Sequence, residues 1–144
     1  MRSTYSFSDL AGVISHPTAG SFVFTGQGAG EVHVNMVTER STHDVAADGS
    51  IMVSKISGNN GSITINVQQT SDLHLWLLRS FNLLWFSDAN MWAVMGIKLR
   101  NVRTGTSHLA TGVSFQRIPD LPYQAQGQRV SWVLMAADIM SITA

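Results

Sequence analysis

Apolar and polar residues alternate with a period of two over most of this chain, and the period changes to that of a helix only once. Before the change, Ile63, Ile65 and Val67 fall on one side of an extended segment, and Ser62, Thr64, Asn66 and Gln68 fall on the other. After it, Leu73, Trp76, Leu77, Ser80 and Leu84 recur at helical spacing, with Leu75, Leu78 and Phe81 widening the apolar stripe. Ser71 is placed to cap that helix, and Asp72 in the first turn suits its dipole. The pattern predicts one helix over about 71–87 in a chain otherwise made of strands.

Strands are expected at Tyr5–Ser15 (bulged near Gly12), Ser21–Phe24, Glu31–Met36, Ile51–Ile56 and Ser62–Gln68, and after the helix at Met91–Val102, Ser107–Arg117 and Gln128–Met135. In the last of these Val130, Trp132 and Leu134 point inward. Residues 136–140 read as a short tail. Pro and Gly punctuation marks turns at His16–Gly20, Gly58–Gly61 and Arg103–Thr106, and the prolines of Ile118–Gly127 preclude a ladder there. Thr38–Ser50 is long for a connection in a compact domain; loops of that length are usually functional or disordered.

Length and composition narrow the reading. The 144 residues make one domain by the length prior, enough to bury about 68–70% of the unfolded surface. The chain has no cysteine, which excludes a disulfide framework and thiolate metal sites. Nine basic and nine acidic residues cancel, so the basic stripe of a dedicated nucleic-acid binder is missing. Only 12% of residues are charged, about half the usual share. That low share points to a subunit whose surface is covered by its own copies. No export signal is readable at the start, and the longest apolar run, Leu73–Phe86, is too short and too polar to span a bilayer.

No set of residues reads as an active site. Thr25–Gly30 is glycine-rich, but a phosphate cradle needs a helix N-terminus after it, and a strand follows instead. His16, His33, His43, His74 and His108 are scattered without metal-ligand spacing and read as solvated or interface residues. A Gly-x-Ser-x-Gly elbow is absent, and Asp44 and Asp48 fit a solvated turn. Trp76, Trp85, Trp92 and Trp132 all fall in apolar runs and read as core. Catalytic, cofactor and metal residues are therefore none.

Several strings resemble a family of small bacteriophage tail tube proteins: Thr4-Tyr5-Ser6-Phe7-Ser8-Asp9, Ala47-Asp48-Gly49-Ser50, Gly61-Ser62-Ile63-Thr64-Ile65, and, most specific, Ala110 to Tyr123 ending in Pro119-Asp120-Leu121-Pro122-Tyr123. The resemblance covers most of the chain. It implies a mainly β fold, an antiparallel β-sandwich or half-barrel with one flanking helix, similar to the type VI secretion tube protein. It also implies a single tail-tube-like domain over 1–144, homo-hexameric rings stacked into a tube, and passage of phage DNA through the lumen without specific binding. Tail sheath, baseplate and terminator proteins would be partners. The chain would be made in the host bacterial cytoplasm and reside in the virion tail, without membrane insertion.

On that reading Ser62, Thr64, Asn66 and Gln68 face the lumen, and Thr42, His43, Asp44 and Asp48 sit in an inter-ring loop over about 38–50. A DNA channel would place Glu31, Glu39, Asp44 and Asp48 inside and Lys55, Lys98 and Arg100 outside. The alternatives are the tube of a phage-derived contractile injection or secretion particle, and a β-sandwich carbohydrate-binding module using Trp92, Trp132 and Tyr123 as its platform.

Overall fold

A computed structural model describes residues 2–24 and 29–143 of the chain. Among the described residues nine strands and one α-helix follow in the order β1 (Leu10–His16), β2 (Gly20–Phe24), β3 (Ala29–Met36), β4 (Ser41–Val45), β5 (Ile51–Lys55), β6 (Gly61–Gln68), α1 (Asp72–Trp85), β7 (Met95–Asn101), β8 (Ser107–Phe115) and β9 (Arg129–Ile142). Seven strands form one antiparallel sheet in the order β2-β1-β7-β8-β9-β6-β3, and β4 and β5 pair only with each other.

Chain connectivity forces this sheet to curl. β2 and β3 lie at opposite edges, yet Phe24 and Ala29 are only five peptide units apart. At about 3.8 Å per unit these can span at most about 19 Å. Seven strands laid flat, about 4.8 Å apart, would separate the outer two by about 29 Å. The sheet is therefore a half-barrel, with one layer wrapping the core from three sides.

The helix fills the open side. It packs against β2 at one edge and β6 next to the other, and Leu73, Leu77 and Leu84 join the same core as Ile14, Ile63, Ile97, Trp132 and Leu134. Ser71 caps it as expected, its Oγ accepting from the His74 amide at 3.2 Å. Rings extend the contact: Phe81 meets Phe115 edge-on at 5.4 Å, and Trp76 lies 5.9 Å from Phe22. Truncating a fully buried side chain here, such as Leu77, would cost about 2–5 kcal/mol.

Four boundaries differ from the expectation for identifiable reasons. The first strand begins at Leu10, after a 3-10 turn at Phe7–Asp9, and its register runs without a bulge past Gly12. Gly12 instead marks close packing, since a Cβ there would stand 2.4 Å from the Phe24 ring. The strand after the helix starts at Met95, because Ala89–Met91 form another 3-10 turn.

The expected tail 136–140 belongs to β9. Its alternation slips phase, with Ala136 and then Ile139 buried, so a strict count of two loses the strand there. The slip sits opposite Gly112, whose φ of +62° bends β8 at the same level. Finally, the segment read as a long loop contains a strand, β4, paired residue by residue with β5 from Ser41↔Lys55 to Val45↔Ile51. Its residues are too polar to signal burial because nothing buries them.

Candidate assembly surfaces

Alternation in the sheet leaves one face in the core and the other outside. On the outer face β3, β6 and β9 bring Glu31, His33, Asn35, Ser62, Thr64, Asn66, Gln68, Arg129 and Ser131 side by side through their register. Ser62, Thr64, Asn66 and Gln68 thus share one face opposite the fully buried Ile63, Ile65 and Val67. A hydrogen-bonded chain crosses the three strands. His33 Nε2 donates to Glu31, Asn66 Nδ2 donates to Glu31 Oε2 at 2.9 Å, and Ser131 Oγ donates to Asn66 Oδ1. The bond from His33, followed by that from Asn66, holds the Glu31 carboxyl below its usual range. This network ties β3 to β6 and β6 to β9 from the solvent side.

The charges do not sort as a simple channel would have them. Lys98 and Arg100 alternate with the buried Ile97 and Leu99, which places them on the same outer face as Glu31. Asp44, Asp48 and Lys55 all lie on the β4–β5 hairpin or its turn. Sequence gave the alternation within each strand but not which strands share a face.

The hairpin is the second surface. β3 and β6 pair up to Met36↔Gly61, and beyond a short crossing β4 and β5 continue outward with a register offset by one residue. Val37 N–H to Asn60 O (3.2 Å) and Ile56 N–H to Arg40 O (2.8 Å) bridge the crossing. Its tip is the expected Asp48-Gly49 turn: Gly49 takes φ +88°, and Asp48 accepts from the Ser50 amide (3.0 Å) and hydroxyl (2.7 Å). Those bonds, the hydroxyl's first, lower the Asp48 pKa. Every residue of β4 and β5 is exposed, including Val45, Ile51, Met52 and Val53 at 57–65%. Thr42, His43, Asp44 and Asp48 are thus gathered on one projecting arm.

The sheet's two edges are the third surface. The outward-facing sides of β2 and β3 have no strand partner among the described residues. Such edges invite pairing with another chain unless something covers them.

Other candidates separate. Two of the five histidines are in fact buried. His16 Nδ1 accepts the amides of Thr18 (2.9 Å) and Ala19 (3.2 Å), leaving Nε2–H to donate to the Met91 carbonyl at 2.8 Å. His74 Nδ1 accepts from the buried Trp132 Nε1–H at 3.0 Å. Their polar type hid this role, although His74 lies one residue from the predicted stripe.

Trp132 is fully buried, Trp92 is half-buried against Phe81, Trp85 and Phe115, and Tyr123 is 85% exposed on a separate loop, so the three form no shared platform. Trp85, expected in the core, is 64% exposed. The Thr25–Gly30 phosphate question falls on residues 25–28, outside the described residues, and Ala29 and Gly30 begin β3. No group of three His, Asp or Glu side chains among the described residues could hold a metal ion. No described helix is long and apolar enough to cross a membrane.

Comparison with known proteins adds a family and a fold. The family model described as bacteriophage PhiTE tail tube protein matches residues 2–143. No curated protein sequence matches the chain. The fold is similar to the anti-feeding prophage cap, a tube-terminating cap, with TM-score 0.58 and 10% identity over 100% of this chain and 94% of that one. It is also similar to a chain of the sheath–tube complex of an extracellular contractile injection system in its extended state, with TM-score 0.52 and 10% identity over 92% and 88% of the two chains.

Proposed function

The chain belongs to the bacteriophage PhiTE tail tube protein family, and on that premise we propose that it is the non-catalytic structural subunit of a phage tail tube. Its copies close into hexameric rings, the rings stack, and phage DNA passes through the lumen without specific binding. One observation carries this reading: a single continuous sheet has a buried face and a polar face centred on Ser62, Thr64, Asn66 and Gln68. Those four side chains are uncharged, so they offer a passing phosphate backbone neither an attractive cation nor a repelling anion.

The other two surfaces support the same conclusion. Ring closure gives the free sides of β2 and β3 partners and so removes an aggregation hazard. An isolated two-stranded hairpin is marginal in water. The arm carrying Thr42, His43, Asp44 and Asp48 therefore gains its stability by lying against a neighbouring ring. Sheath, baseplate and terminator proteins are the further partners of such a tube, in a virion tail assembled from subunits made in the host cytoplasm.

A tube in a contractile injection particle would use the same fold, and the family match favours the phage. Negative-stain electron microscopy of the purified chain is the test. Rings or tubes with a central channel are expected. A monodisperse monomer at high concentration would overturn the proposal.

A further inference from the structure

Two apolar surfaces outside the core differ in the sign of charge at their rims, and a third surface fits only one of them. The arm divides its residues by register. One side carries Val45, Ile51 and Val53, with His43 and Lys55 towards the base; the other carries Thr42, Asp44, Met52 and Ser54. The first side is an exposed aliphatic strip that carries Lys55 and no carboxylate.

The C-terminal end of α1 is the first of the possible seats. Trp85 and Phe86 are 64 and 86% exposed, whereas Leu73, Leu77 and Leu84 of the same helix are buried. Beside them Leu84, Trp85, Ser87, Ala89 and Trp92 line a groove of about 300 Å³, enough for a valine or isoleucine side chain. Trp85 and Trp92 stand edge to face at 5.9 Å, which fixes the groove walls. The electrostatics there are negative. The last turn of α1 has no basic residue, so its partial negative charge meets only the neutral donors of Ser87 (Oγ to the Leu83 carbonyl at 2.7 Å, N–H to the Leu84 carbonyl at 3.2 Å), and exposed Asp88 adds to it.

The second seat lies on the outer face of the sheet, where Leu109, Met140 and Ile142 line a groove together with Lys98 and Ser107. Arg100 follows on the same face. A strip bearing Lys55 would meet like charge there.

We infer that the arm of one copy seats its Val45–Ile51–Val53 strip on the Trp85–Phe86 patch of a second copy, with Lys55 towards Asp88 and the helix end. The inference rests on the reading of the chain as a tube subunit and names the contact its arm makes. The contact is heterologous, joining different patches on the two copies, so it propagates through an assembly rather than stopping at a dimer. Val53 or Ile51 fills the groove beside Trp85, and the aromatic rings supply the rigid apolar anchor usual at interface centres.

The absence of cysteine makes cross-linking decisive. The full-length double variant Val53→Cys/Phe86→Cys, assembled and treated with a short bis-maleimide, is expected to give a ladder of trimers and longer species. Val53→Cys/Met140→Cys should stay unlinked. A ladder from the Met140 pair instead, or tubes of the Phe86 pair that stay unlinked, would overturn the seat while leaving the tube reading intact. Tubes that form after excision of residues 41–55 would overturn the arm's role in assembly itself.

Charge exchange provides a second arm that does not depend on introduced thiols. Lys55→Glu and Asp88→Lys should each raise the concentration for half-assembly about two- to fivefold, as expected of a rim ion pair. Combining them should restore it. Failure of the pair to compensate would count against the docking.

Discussion

Trp132 places a demand on the core that a purely apolar pocket could not meet. Its ring is fully buried and its indole N–H needs an acceptor, since an unpaired buried donor costs about 1–3 kcal/mol. His74 supplies one at 3.0 Å, across the interface between helix and sheet. Burial in turn lowers the His74 pKa from its ordinary value of 6.5. The folded state therefore resists protonation while the unfolded chain accepts it. Above pH 6.5 both states are neutral and the group leaves stability unchanged. As pH falls below 6.5 the unfolded state gains protons first, and stability declines.

Urea midpoints should consequently drop between pH 7.5 and 5.5 in the native chain. A His74→Gln variant should be less stable at neutral pH and should show a smaller drop. An equal drop in both would assign the pH effect to other groups. None of this was legible in the sequence, where His74 counted as polar. A histidine reveals such a role only once the fold shows which donor it faces.

At the level of elements, legibility followed burial. Strand β6 and helix α1 were placed to within one or two residues, because each has one face in the core and its period records that contact. Strand β4 was missed because its residues are mostly polar, whereas its equally exposed partner β5 was read from its apolar Ile51, Met52 and Val53, and only the Asp48-Gly49 turn pointed to a hairpin there. β9 was cut short where the bend at Gly112 shifts the phase of burial.

The arm's exposure leads to a prediction about separability. Arg40 and Ile56 are already joined by a backbone bond, so replacing residues 41–55 with two glycines keeps the base of the hairpin closed. No core residue is removed, since every residue of β4 and β5 is exposed. The denaturation midpoint should stay near that of the native chain, while sedimentation should show subunits or single rings in place of tubes. A large loss of stability would mean that the arm supports the fold and is not primarily an assembly element.

The whole molecule explains why a sequence with so few charges need not be a poor soluble protein. Neutral, weakly charged surfaces promote association, and here association is the proposed end state. The curled sheet, the helix in its opening and the two free edges leave the polar face as the surface that a ring would turn towards its axis. This assignment makes a geometric prediction that the missing cysteines again allow to be read cleanly. Asn66 is only half-buried in the subunit, so a cysteine in its place should fold and react with maleimides of any size. In an assembled tube the lumen admits small solutes through its ends and excludes large ones. Asn66→Cys should then still react with a small maleimide but become protected from a bulky polyethylene-glycol maleimide. Leu75→Cys, on the exposed side of α1, should show no such size selection unless another protein covers it. Equal reactivity of Asn66→Cys towards both reagents in intact tubes would place the β3–β6–β9 face on the outside, and the channel wall would have to be sought on another surface.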